Sequence, residues 1–208
     1  MDDENTALPD PLPLFPLQLV LFPGSRLHLK VFEPRYVDLV SECLREQRPF
    51  GVVCLRAGHE VGRQDVAFET LGTLSHIDAV DAEQPGLLHL RCIGGLRFTM
   101  AGAAHQQADG LWLCRAQAIA ADPPQAPAAP MLATVTALAE AIRKLQEQGQ
   151  LPFAPPFRLD EAGWVANRWC ELLPIPLAAK QKLMALEDPA LRLAIVDGFL
   201  RDKGVVGG

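Results

Sequence analysis

The residues able to hold a metal or attack a substrate are five histidines (His28, His59, His76, His89, His105) and five cysteines (Cys43, Cys54, Cys92, Cys114, Cys170). Their spacing forms no zinc pattern, and no two cysteines make a Cys-x-x-Cys pair. His28, His76 and His89 occupy polar positions of alternating segments, which predicts exposed or hydrogen-bonded rings. Cys54 and Cys92 fall inside apolar segments, where a thiol is inert. The cysteine count is odd and the acidic start Met1-Asp-Asp-Glu-Asn lacks a signal peptide's basic and apolar regions, so reduced, buried thiols are expected. Ser25, Ser41 and Ser75 are the candidate hydroxyl nucleophiles, and none sits in a Gly-x-Ser-x-Gly elbow. No Gly-Lys pair exists to end a phosphate-binding loop. The expectation is a chain with no catalytic residues, no metal and no cofactor.

Charge narrows the partners. Residues 1–130 hold 10 Lys and Arg against 16 Asp and Glu, and the remaining 78 residues hold 9 against 9. Phosphate-backbone binding needs clustered Lys and Arg, so nucleic acid is not an expected partner. No apolar run approaches the roughly 20 residues of a membrane span, so no membrane is expected and the location is expected to be cytoplasmic. With 49% hydrophobic residues, the chain of 208 can bury one large core or two small ones.

The elements that must position these residues begin with Leu12 to Tyr36. The apolar run Leu17 to Phe22 reads as a strand, Pro23-Gly24 as a turn, and Leu27, Leu29 and Val31 alternate with Arg26, His28 and Lys30 as a second, half-buried strand. Tyr36, Val37, Val40, Cys43 and Leu44 then recur at helical spacing, with Pro34 in the first turn. Phe50 to Leu55 reads as a buried strand and residues 57–70, with the acids Glu60, Asp65 and Glu69, as a loop. Leu71 to Val80 is the next strand. Leu88 to Cys92 and Leu96 to Met100 follow as two strands broken by Gly94-Gly95. After a turn at Asp109-Gly110, Leu111 to Ile119 is the last. Ala121 to Pro130 carries four prolines and reads as a stiff linker.

Beyond the linker the period is helical. Met131, Val135, Leu138, Ile142 and Leu145 share one face. Asp160 is the expected N-cap of a helix bearing Val165, Trp169, Leu172 and Leu173. Leu177 to Leu186 forms a short helix. Asp188-Pro189 opens a last one, with Leu191, Ile195 and Phe199 as its apolar stripe. The expected fold class is therefore α+β: about six strands with one inserted helix, then a helical bundle. The expected domains are residues 1–121, a linker at 122–130 and a bundle at 131–208.

Several blocks together resemble the N-terminal, substrate-binding domain of the ATP-dependent Lon protease family. They are Leu-Pro-Leu-Phe-Pro-Leu at 12–17, Phe-Pro-Gly at 22–24, Val-Phe-Glu-Pro-Arg-Tyr at 31–36, Gly-Thr-Leu-Ser-His-Ile at 72–77 and Gly-Gly-Leu-Arg-Phe at 94–98. In the helical half they are residues 164–177, 180–183 and 186–189. The resemblance spans about residues 11–203. It implies that the strands build a small PUA-like β-barrel. It also implies that the chain is a non-enzymatic module that recognises unfolded or apolar polypeptide segments, with a separate protease as a partner it allows. It lacks the ATPase and peptidase motifs of the intact enzyme. The alternative is an adaptor or scaffold that binds one dedicated protein partner or a small ligand. Trp112, Phe153, Phe157 and Trp164 are the candidate polypeptide-binding side chains. Pro23, Gly24, Glu33, Pro34, Arg35, Tyr36, Gly94 and Arg97 are read as structural: Glu33 complements the helix dipole, and Arg35 forms a buried pair or holds a carbonyl.

Overall fold

A computed structural model describes residues 8–57, 66–84, 86–150 and 152–207. His59, Glu60 and Asp65 lie outside the described residues. The chain divides into two compact units, Met1–Ala120 and Ala121–Gly208.

Among the described residues the first unit is one mixed sheet of eight strands and a helix, rather than about six strands. The strands are β1 (Leu12–Leu17), β2 (Arg26–Val31), β3 (Phe50–Ala57), β4 (Ala67–Gln84), β5 (Leu87–Met100), β6 (His105–Gln106), β7 (Trp112–Cys114) and β8 (Ala116–Ala118), with α1 at Pro34–Glu46. The order is β2-β5-β4-β3-β1-β7-β6, and β8 also pairs with β5.

Three expectations change here. The first strand is Leu12–Leu17, not the apolar run after it, and it does not pair with β2. Instead β1 runs parallel to β3 and antiparallel to β7. Proline cannot donate to a ladder, which made 12–17 a poor strand on sequence grounds. The ladders show how it is tolerated. Pro13 is matched only by Leu113 of β7, and Pro16 only by Val53 of β3, so each proline sits where β1 has a neighbour on one side alone.

The second change concerns Gly94-Gly95, which does not break a strand. β5 runs through it, with the ladder to β4 shifting register nearby. Phe22 to Ser25 forms a turn in which Ser25 N–H donates to Phe22 O at 3.1 Å, with Pro23 second and Gly24 third at φ +79°. That is a type II turn, whose third position favours glycine. It is clamped to β5, since Gly24 N–H donates to Gly94 O at 2.7 Å and Gly94 N–H to Ser25 O at 2.9 Å. A Cβ on Gly94 would collide with the Phe22 carbonyl oxygen. The glycine is there for close approach rather than for a turn.

The third change is at the end of the unit. Leu111 to Ile119 splits into β7, which pairs with β6 and β1, and β8, which pairs with β5. Part of the expected loop at 57–70 is also strand, because β4 starts at Ala67.

β1 is buried on both faces, and its alternation feeds two cores. Phe15 and Leu17 join Leu27, Val31, Tyr36, Leu39, Val40, Cys43, Phe50 and Val52. Leu12 and Leu14 join Val53, Leu74, Phe98 and Cys114. α1 packs Tyr36, Leu39, Val40 and Cys43 inward, while Leu44 is exposed.

The second unit holds a 3-10 turn (Ala129–Met131) and four helices: α2 (Leu132–Glu147), α3 (Ala162–Leu172), α4 (Leu177–Ala185) and α5 (Pro189–Asp202). α3 is its centre, with residues 162, 163 and 165–170 all buried. Its N-cap is Glu161, without a side-chain cap bond, rather than Asp160. At α5 the Asp188 carboxylate does cap, accepting from Ala190 N–H at 2.9 Å and Leu191 N–H at 3.2 Å. The apolar stripe expected on α5 faces the wrong way: Leu191 and Ile195 are exposed, and the buried side carries Arg192, Leu193, Val196, Asp197 and Leu200. Two polar side chains lie on that buried side, which hid it from a reading of apolar spacing. No described helix is long and apolar enough to cross a membrane.

Candidate functional site

In the sheet unit, a groove of about 260 Å³ runs beside β2. One wall is His28, Leu29, Lys30, Val31 and Phe32. The other is Phe15, Leu17, Leu19 and Tyr36, and Glu33 lies at one end. Residues from both faces of β2 border it, so the groove follows the edge of the strand. Among the described residues, β2 is a terminal strand of the sheet and pairs only with β5. Phe32 is 51% exposed, a large apolar side chain left open to solvent at the groove.

The floor is held rigid. Phe15 and Tyr36 stack with ring centroids 3.9 Å apart at 12°, and Phe15 also meets Phe50 at 5.9 Å. Arg35 braces the helix start. Its Nη2 donates to Glu33 Oε2 at 2.9 Å, its Nη1 to Gly110 O at 3.0 Å, and its guanidinium lies 4.7 Å from the Tyr36 ring centroid. Pro34 fills the first helical position after Glu33, where a missing N–H costs no bond. Arg97 is buried on β5, where its carbonyl accepts from Ile119 N–H at 2.8 Å.

The four candidate aromatics fall into two groups. Trp112 belongs to the sheet unit and meets Phe68 edge-on at 5.4 Å. Phe153, Phe157 and Trp164 form one cluster in the helical unit, with centroid separations of 5.8 to 6.3 Å. Phe153 is fully buried, and the Arg168 guanidinium stands 5.1 Å from its ring and 5.5 Å from that of Trp164. Arg168 is itself buried and donates to Glu171 at 2.8 Å. This is the geometry of cation–π packing. Trp112 is not among the residues that line the groove beside β2.

The titratable residues are dispersed. Among the described residues, no three His, Cys, Asp or Glu side chains gather as a metal site would require. All five cysteines are buried and unbridged. Burial pushes the thiols of Cys43, Cys92 and Cys114 up to about 11 and that of Cys170 up to about 12, which keeps them protonated. His28, His89 and His105 are exposed, and burial lowers the pKa of half-buried His76. Ser25 and Ser75 are buried, and Ser41 donates to the helical carbonyl of Val37 at 2.9 Å.

Sequence reasoning missed the groove. Local spacing reads Leu17, Leu19, Leu29, Val31 and Tyr36 as apolar positions of strands and helix, His28 and Lys30 as polar alternation, and Glu33 as a helix-dipole partner. The available signal was Phe32, a large aromatic just past the end of an alternating strand.

A mixed sheet with one helix, followed by four more helices, defines a two-unit α+β protein with a groove along a terminal strand. The chain belongs to the family of the substrate-binding domain of the ATP-dependent protease La (LON), whose model matches residues 11–202. Among solved structures it is similar to the Lon N-terminal domain protein from Xanthomonas campestris, with 29% identity and a TM-score of 0.73, over 90% of this chain and 97% of that one. It also matches the N-terminal domain of Mycobacterium avium complex Lon protease, with a TM-score of 0.59 over 92% and 98% of the two chains; at 14% identity this likeness shows the fold alone. None of the curated proteins compared matches the chain.

Proposed function

We propose that this chain is a non-catalytic recognition module that holds apolar segments of other polypeptides in the groove beside β2. The observation that carries the reading is Phe32, half exposed over a groove whose other apolar lining is Phe15, Leu17, Leu19, Leu29, Val31 and Tyr36. An apolar side chain open to solvent gains by being covered. The family's substrate-binding designation supports the same role. A separate protease is the downstream partner this role implies, and a cytoplasmic setting suits the reduced thiols. The cluster of Phe153, Phe157 and Trp164 is assigned a packing role instead, because Phe153 has no exposed surface and Arg168 fills the space beside it.

The test is titration of the purified chain with a chemically unfolded protein and with labelled apolar peptides. Binding should fall at least about tenfold in the Phe32→Asp variant, since a charge in an apolar contact must be desolvated. The fold should be unchanged, because that side chain is half in solvent. Wild-type affinity in Phe32→Asp would remove the groove from the function.

A further inference from the structure

The backbone of β2 points to how a segment would be held. Gly94 N–H donates to Ser25 O, which fixes the phase of the β2–β5 ladder. In an antiparallel pair the residues alternate between bonding the neighbour and facing away. Leu27, Leu29 and Val31, opposite Cys92, Leu90 and Leu88, therefore spend their backbone groups on β5. Arg26, His28 and Lys30 turn their N–H and C=O groups to the outer edge, where no described strand pairs with them.

The side chains on this ribbon are sorted by face. Leu29 and Val31 lie on the face packed with Phe15, Leu17 and Tyr36, while His28 and Lys30 border the same edge groove from the other face. On the opposite face Arg26, His28 and Lys30 stand beside Ile93, Arg91 and His89 of β5. The acids on that face come from β4, one strand further from the edge. Asp78 already bonds Arg91 at 2.5 Å, and Asp81 is matched to His89. Arg26 and Lys30 form no ion pair among the described residues.

We infer that β2 receives an extended polypeptide segment as an added strand, one that alternates apolar with acidic residues. Its backbone bonds the outward N–H and C=O groups of Arg26, His28 and Lys30. Its apolar side chains enter the groove toward Phe15, Leu17 and Tyr36, and its carboxylates lie beside Arg26 and Lys30. Edge-strand addition takes affinity from main-chain bonds and specificity from alternate side chains, which is the combination this edge offers. The inference rests on the recognition reading above and adds the mode of binding and the preferred sequence chemistry.

Two labelled peptides of equal length, one alternating Leu with Asp and the other Leu with Lys, separate the possibilities by fluorescence anisotropy with the full chain. The Leu/Asp peptide should bind about tenfold more tightly at low ionic strength, with the gap shrinking as salt is added. The double variant Arg26→Glu with Lys30→Glu should lose that preference while keeping its circular dichroism. N-methylating alternate backbone nitrogens of the Leu/Asp peptide should abolish binding for one set and spare it for the other, because an added strand uses every second N–H. Equal affinity for both peptides, or indifference to N-methylation, overturns strand addition and leaves recognition standing. Failure of both peptides and of unfolded protein to bind removes both readings.

Discussion

Arg192 Nη1 lies 2.5 Å from Asp122 Oδ2, joining α5 to the start of the Pro/Ala-rich stretch across 70 residues of sequence. Arg192 is 1% exposed, and it also donates to Asn167 Oδ1 at 3.1 Å and Leu183 O at 3.1 Å, and to Leu186 O. Ala162 N–H donates to Gln125 O at 2.7 Å a few residues further along the same stretch. The prolines there set an extended path, and these bonds hold it against α3 and α5.

Removing one member of such a buried pair leaves the other charge without compensation. Asp122→Ala is expected to destabilise the helical unit by about 3 kcal/mol. Urea unfolding followed at Trp169 of α3 checks it. A midpoint equal to wild type would show that Arg192 is held by its carbonyl partners alone.

Gly94→Ala tests the clamp between the turn and β5. The added methyl meets the Phe22 carbonyl, so the turn must shift and lose its bonds to Gly94. Overpacking of this kind should cost about 2 kcal/mol, read as a lower thermal midpoint. Gly86→Ala serves as a contrast, because its Cβ would meet nothing and only its positive φ of 77° is penalised.

Asp197 gives the helical unit a pH dependence. Burial raises its pKa, but hydrogen bonds from Arg201 at 2.7 Å and Thr134 at 2.5 Å outweigh burial and hold it below the ordinary 3.8. A carboxylate with a depressed folded pKa contributes stability that is complete above the ordinary value. That stability is lost as pH falls through the folded value. The thermal midpoint of Asp197→Asn should therefore lie below wild type at neutral pH. The gap should close once the pH has dropped well under 3.8.

The thiols should report unfolding rather than chemistry. Burial keeps Cys43, Cys92, Cys114 and Cys170 protonated at neutral pH. Reaction with a thiol reagent should proceed at the rate of opening and become fast only in denaturant. A thiol that reacts quickly in the native chain would mark an exposed site these positions do not show.

What the sequence by itself determined was local. The type II turn follows from Pro23 and Gly24, the start of α1 from Glu33-Pro34, the cap of α5 from Asp188-Pro189, and the alternation of β2 from residues 26–31. Each is a matter of backbone preference or of a bond within a few residues. Tertiary structure decided what depends on neighbours. Pro13 and Pro16 fit a strand because β3 and β7 each cover only part of β1. Gly94 continues a strand because the turn at Phe22 approaches it. α5 buries Arg192 and Asp197, rather than Leu191 and Ile195, because Asp122 and Thr134 wait opposite them. The groove follows β2 because no second described strand pairs with it at the end of the sheet, a matter of strand order that no local spacing records.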